Sequence, residues 1–184
     1  QSIVWAAGLL GSPLPERVAG IDLMENLVHL AAEKGYTCYF LGAKEDVINT
    51  LVKKYSDSLS PSIIAGYRNG YFKEEDEETI AINIANTNAN ILFVAITSPK
   101  KEIFLNKYKD HLKSVNFIMG VGGSFDVISG KVKRAPIWMQ NIGMEWFYRF
   151  LQEPKRMWKR YLFLNFKFIW LILSAFILQK NNHK

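Results

Sequence analysis

An apolar run, Val115 to Met119, runs directly into Gly120-Val121-Gly122-Gly123-Ser124-Phe125-Asp126, and this junction constrains the fold more than any other stretch of the chain. A buried strand that gives way to glycines and then to a helix start is how a strand of a parallel sheet ends. Glycine lets a ligand approach the backbone closely, and N–H groups at a helix start can hydrogen-bond phosphate oxygens. A nicotinamide dinucleotide is disfavoured, because the fingerprint for one needs a third glycine at the position of Phe125. A tight turn that binds nothing has the same spacing, so the residues alone leave both readings open.

The remaining strands and helices fit that sheet. Ile3, Val4, Ala7 and Leu10 recur at helical spacing before Pro13 and Pro15 break the pattern. A helix is expected from about Ile21 to Lys34, with Leu23, Leu27, Leu30 and Ala31 on one face and Gly35 as its stop. Thr37 to Leu41, Ser62 to Ala65 and Ile91 to Ile96 read as strands, and Glu45 to Tyr55 as a helix after the first of them. The acidic run Glu74 to Glu78 opens a helix to about Asn86, where carboxylates suit the positive helix end. Ser98 caps and Pro99 starts the next helix. Lys100 and Lys101 then stand at the carboxyl edge of a central strand, where open α/β sheets bind ligands. They either hold a diphosphate there or are simply solvated. His29 has no second His or Cys at ligand spacing and receives no metal role.

Composition sets the limits. A chain of 184 residues, 49% hydrophobic and 14% aromatic, is long enough for one buried domain with an appendage and too apolar for a disordered one. The net charge of +6 is local, since residues 155–184 hold seven Lys or Arg and no acid. Cys38, inside an apolar run, reads as a core thiol of a reduced, cytosolic protein. The chain opens at Gln1 in an apolar helix, which raises the expectation that further sequence precedes it.

Five motifs occur in one order: Arg17-Val18-Ala19-Gly20 with Asp22; Ser98-Pro99-Lys100 with Glu102; the glycine turn; Arg134-Ala135-Pro136 with Trp138-Met139-Gln140; and Glu145-Trp146 with Gln152-Glu153-Pro154. Over residues 3 to 162 they resemble the WecG/TagA/CpsF family of bacterial glycosyltransferases. The resemblance implies an α/β fold, a Rossmann-like mainly parallel sheet flanked by helices. It implies transfer of an N-acetylmannosamine-type sugar from a UDP donor to a polyprenyl-diphosphate-linked acceptor sugar, for teichoic acid, common antigen, capsule or exopolysaccharide. No metal or other cofactor is implied.

Carried over residue by residue, the resemblance implies substrate binding by Arg17, Val18, Gly20, Asp22, Gly42, Ser98, Pro99, Lys100, Lys101, Glu102, Gly122, Gly123, Phe125 and Asp126. As a residue in a first helical turn, Asp126 serves equally as a hydroxyl acceptor or an ordinary cap. The family's general base, the Asp of an Asp-Gly pair, falls before Gln1, so no catalytic residue is expected within these 184 residues, and Lys101 stands where the family usually has Gln. Without that base the chain alone is expected to be inactive. The alternative is a non-catalytic module that holds nucleotide-sugar and lipid phosphate.

From Pro136 onward the helical pattern is rich in aromatics, among them Trp138, Trp146, Phe147, Tyr148, Phe150 and Trp158, a set typical of membrane interfaces. Arg149, Lys155, Arg156, Lys159 and Arg160 stand between them and can pair with anionic lipid or a diphosphate. Arg149 and Arg156 are the best matches to the family's appendage arginines, with Lys159 and Arg160 looser. Tyr161 to Leu178, an apolar run interrupted by Asn165 and Lys167, is expected to lie in the membrane plane and not to span it. The expected division is a glycosyltransferase core, 1–135, and a helical membrane-facing appendage, 136–184. Expected partners are the UDP-sugar, the lipid-linked acceptor and the anionic inner face of a bacterial plasma membrane. Nucleic acid is not among them, and a homo-oligomer is left open.

Overall fold

The computed structural model describes residues 2–155, 158 and 167–176. Four strands, β1 (Cys38–Gly42), β2 (Ile64–Arg68), β3 (Ile91–Ala95) and β4 (Phe117–Gly120), form one parallel sheet in the order β2-β1-β3-β4. The helices are α1 (Ser2–Leu9), α2 (Gly20–Lys34), α3 (Glu45–Ser58), α4 (Glu77–Asn86), α5 (Lys100–Lys107), α6 (Ser124–Ile128), α7 (Ile137–Asn141) and α8 (Glu145–Gln152). Residues 167–176 are also helical. The chain divides into two compact units, residues 19–131 and residues 1–18 together with 132–184.

In the sheet unit, strand alternation sorts the core into two layers. Cys38, Phe40, Ile91 and Phe93 pack with Met24, Val28 and Ala31 of α2, with Val47, Ile48, Leu51 and Tyr55 of α3, and with Phe125. Tyr39, Leu41, Leu92 and Val94 pack with Ile80, Ala81 and Ile84 of α4 and with Phe104 of α5. Helices cover both faces, which is why β1 and β3 read as near-continuous apolar runs. The fold is a Rossmann-like α/β sheet. Phe40 is central, with ring centroids 5.6 Å from Phe93, 5.7 Å from Tyr55 and 6.0 Å from Phe125.

Several local expectations need correction. The buried stripe of α2 is Met24, Val28 and Ala31, while Leu23 and Leu30 are 38% and 42% exposed. Two periodic apolar stripes overlap on this helix: Ala31 is buried and Leu27 packs against the core as expected, while the sheet takes Met24 and Val28 in place of Leu23 and Leu30. Pro61–Ile63 form a 3₁₀ turn, in which Ser62 N–H donates to Ser60 Oγ at 3.2 Å, so the second strand starts at Ile64 and not at Ser62. Proline has no N–H to give a ladder. Glu74–Asp76 likewise form a 3₁₀ turn, and α4 begins only at Glu77. Pro99 occupies the cap of α5, with φ −90° and ψ 0°, and Lys100 is the first helical residue. A ψ of zero is not helical. The Ser98–Pro99 peptide bond is cis.

The strand before the glycine turn is not a buried one. Among the described residues it pairs only with β3, at the edge of the sheet, and Phe117 and Ile118 are 45% and 37% exposed. Other expectations stand. Gly35 ends α2 in the left-handed conformation at φ 72°, and Cys38 is fully buried.

In the second unit, side-chain ties hold the motif segments. The Gln152 amide accepts from the Lys133 N–H and donates to the Lys133 carbonyl, both at 2.9 Å, as a strand neighbour would. Gln140 Nε2 donates to the Ala135 carbonyl. The two motif glutamines thus brace the chain around Pro136. The expected in-plane segment 161–178 lies partly outside the described residues. No helix among the described residues is long and apolar enough to cross a membrane.

Candidate active site

The strand order places a topological switch between β1 and β3, since β1 has β2 on one side and β3 on the other. Ligands of open α/β sheets bind outside the carboxyl ends of the strands at such a point. The residues there are Gly42 at the end of β1 with Ala43 after it, and Thr97 to Lys101, which run from β3 into the first turn of α5. Gly42 pairs across from Ala95, and a β-carbon on it would lie 2.5 Å from the Ala95 carbonyl carbon and oxygen. With φ +134° as well, only glycine fits. Ala43 N–H donates to the Ala95 carbonyl at 3.2 Å, and Gly70 N–H to the Ala43 carbonyl at 2.9 Å. The floor of the crevice is therefore backbone locked to backbone.

The two adjacent lysines go to different places. Lys100 Nζ donates to the Phe72 carbonyl at 2.9 Å and lies 4.1 Å from the centre of the Phe72 ring. Lys101 instead runs across Gly120 at the end of β4, so that a β-carbon at Gly120 would stand 2.8 Å from Lys101 Nζ. Glu102 Oε1 is 3.1 Å from that ammonium. Its carboxyl is held below the usual range, first by its own backbone N–H and then by Lys101.

The turn itself is built as the sequence suggests. Gly122 takes φ +52°, with open space where a β-carbon would be, and Gly123 precedes α6 as its cap. Ser124 is buried and donates to the Val121 carbonyl at 2.8 Å. Phe125 is fully buried, and its ring belongs to the core, so it offers no face to a ligand. Asp126 lies in the first turn of α6. Gly20 opens α2, with Asp22 in its first turn, and Ser98 and Pro99 are exposed in the link from β3 to α5.

In the second unit the expected cation Arg17 is engaged by protein. Its Nη2 pairs with Glu145 Oε2, and its Nη1 donates to the Gln140 carbonyl at 3.4 Å. Arg134 Nε is 3.8 Å from the other Glu145 oxygen, so one carboxylate joins two motif arginines. Val18 is exposed, and Arg149 Nε lies 3.8 Å from Glu153. Arg156, Lys159 and Arg160 lie outside the described residues.

Against known proteins, the model of the glycosyl transferase WecG/TagA/CpsF family matches residues 1–182. The chain belongs to this family. Among its relatives is a Bacillus subtilis (strain 168) protein named N-acetylglucosaminyldiphosphoundecaprenol N-acetyl-beta-D-mannosaminyltransferase, 41% identical over 160 residues. That stretch covers 87% of this chain and 61% of the relative. A protein of the same name from Bacillus spizizenii (strain ATCC 23059 / NRRL B-14472 / W23) is 39% identical over 160 residues, again 87% of this chain and 61% of the relative. The chain thus spans about 61% of the length of these relatives.

One feature of this edge was missed by sequence reasoning. Lys44, Glu45, Asn69 and Tyr71 line a shallow depression of about 330 Å³ beside Gly42 and Gly70. Asn69 is fixed between Glu45, to which its amide donates, and the Tyr71 N–H, which it accepts at 2.9 Å. The Tyr71 side chain is left 71% exposed. Asn69-Gly70 just after a strand was the available signal, a turn pair that presents whatever follows it. Among the described residues no group of three or more His, Cys, Asp or Glu is arranged to hold a metal.

Proposed function

We propose that this chain forms the donor-binding part of an enzyme that moves an N-acetylmannosamine-type sugar from UDP to an acceptor sugar on a polyprenyl diphosphate, in the synthesis of a cell-surface polysaccharide. The observation that carries this reading is the meeting of Gly42, the Thr97–Lys101 link and the Lys101 ammonium over Gly120 at the carboxyl edge of the sheet. Family membership and the relatives' names supply the chemistry.

In direct displacement the acceptor hydroxyl attacks the anomeric carbon, the bond to the donor phosphate breaks, and negative charge collects on departing UDP. Fixed cations and backbone N–H groups aimed at that charge lower the barrier. Lys101 and the turn at Gly122 and Gly123 are assigned this work, with the Tyr71 ring and Asn69 amide beside the base and ribose. A carboxylate in the role of the family's Asp-Gly base would take the acceptor proton, and the sugar would be inverted. No metal or other cofactor enters the proposal.

The second unit is assigned to the anionic inner face of the plasma membrane and to the acceptor. Exposed apolar side chains support this: Ile137 is 75% exposed, Trp138 62%, and Trp170 and Leu173 of the 167–176 helix 67% and 56%. Arg149, and with it Arg156, Lys159 and Arg160, would meet lipid headgroups or the acceptor diphosphate.

Calorimetry with UDP and a transfer assay with UDP-N-acetylmannosamine and a lipid-linked N-acetylglucosamine acceptor test the reading. Binding of UDP over UMP is expected, through the second phosphate. A chain that binds neither is no donor site, and one that binds UDP but transfers nothing, even with the Asp-Gly segment added, is the non-catalytic module.

A further inference from the structure

The Lys101 side chain is held from two sides. Its stem lies flat on Gly120, where a β-carbon would approach Cδ to 3.1 Å, Cε to 2.9 Å and Nζ to 2.8 Å. Any side chain at 120 would push the lysine away, because packed atoms do not approach so closely. On the other side Glu102 Oε1 grips the ammonium at 3.1 Å, and the lysine side chain is only 20% exposed against 53% for the glutamate. An ammonium has three N–H donors, and Glu102 takes one.

We propose that Gly120 and Glu102 are positioning residues, which hold the Lys101 ammonium at the carboxyl end of β4 to receive the diphosphate of the sugar donor. The inference rests on the donor reading above. A lysine has a long, freely rotating stem, and fixing it before the ligand arrives removes that ordering cost from binding. Gly120 supplies the floor that lets the stem lie down. Glu102 sets the direction of the head and, being exposed, need not be buried with it.

A bland alternative is that Glu102 merely steadies the start of α5 and that Gly120 merely ends a strand. A double-mutant cycle separates the two. UDP affinity is measured for Gly120→Ala and Glu102→Gln, each in the Lys101 background and in Lys101→Ala, with melting temperatures alongside. Gly120→Ala is expected to weaken UDP about tenfold when Lys101 is present and to cost nothing more once it is gone. Glu102→Gln should weaken UDP about threefold, again only with Lys101 in place. Lys101→Ala should also restore any melting temperature lost in Gly120→Ala, since it removes the colliding stem. Equal losses in both backgrounds, or no loss in either, would overturn the inference while leaving the donor reading intact. Failure of the unaltered chain to bind UDP would overturn both. If Gly120→Ala does not fold, the isosteric Glu102→Gln carries the cycle by itself.

Discussion

The ammonium of Lys100 rests on the face of Phe72, 4.1 Å from the ring centre, and donates to the carbonyl of the same residue. It therefore fastens the loop before α4 to the start of α5. Lys100→Met should destabilise the fold by about 1–2 kcal/mol, the scale of a cation–π contact plus a charged hydrogen bond, yet leave UDP affinity unchanged. Lys101→Ala should do the reverse, weakening UDP by roughly 1–3 kcal/mol with little change in melting temperature. Thermal melts and calorimetry on the two variants decide between them, and a swap of the two effects would reassign the phosphate contact to Lys100.

Tyr71 stands 71% exposed on a loop whose backbone is pinned by Asn69 and Gly70, a rigid mount for an open ring. Stacking of a base on an aromatic side chain contributes about 1–3 kcal/mol. Tyr71→Ala should weaken UDP on that scale, whereas Tyr71→Phe should be nearly neutral. Inorganic diphosphate, which has no base, should bind both variants equally well, and a shared loss would place the effect elsewhere.

Burial pushes the Cys38 thiol from 9.0 up to about 12. A folded value above the unfolded one favours the native state only below the unfolded value, so this contribution fades as pH rises from about 9 towards 12. Cys38→Val, of similar size, should flatten the alkaline fall in stability. The native thiol should also resist alkylation at pH 8, reacting only as fast as the chain opens; fast labelling of folded protein would contradict its burial.

The parts legible in the sequence were those that repeat. Apolar runs announced β1 and β3, and Gly35 and the glycine turn announced two chain reversals. What stayed hidden depended on neighbours in space. Leu23 and Met24 are both apolar and both periodic, and only the sheet decides which turns inward. Lys100 and Lys101 are the same residue type side by side, and their separate fates follow from Phe72 and Gly120, which lie 28 residues before Lys100 in the one case and at the end of another strand in the other. The pairing of Arg17 with Glu145 was equally hidden, because the two are 128 positions apart.

Lys131 holds Asp46 at 2.9 Å, and this contact keeps the aspartate below its ordinary value and the lysine above its own. The aspartate's contribution is present above 3.8 and is lost as pH falls through its lowered value; the lysine's is present below 10.5 and is lost as pH rises through its raised one. Asp46→Asn should soften the acid limb of a stability profile measured at low salt. At about 1 M salt the two proteins should converge, since exposed pairs are screened. An unchanged acid limb would remove the pair from the account.

The membrane assignment has its own test. Each basic residue near an anionic surface contributes about 1 kcal/mol, so several acting with inserted aromatics suffice for reversible attachment. Deleting residues 163–184 should release the protein from anionic liposomes while sparing UDP binding. Replacing Arg149 and Arg156 by Glu should impair acceptor use more than donor affinity. Equal sedimentation with neutral vesicles would reject the electrostatic part, and release by detergent alone would favour full insertion.

Because Gly42 meets Ala95 with no room for even one carbon, natural variation cannot reshape the middle of the crevice without breaking the sheet. On the proposed donor reading, new sugar preferences would then arise from the links around it, at positions such as 44, 69, 71 and 101, where side chains change without disturbing strand pairing. A saturation library screened on alternative donors should return its winners from those links and almost none from 42.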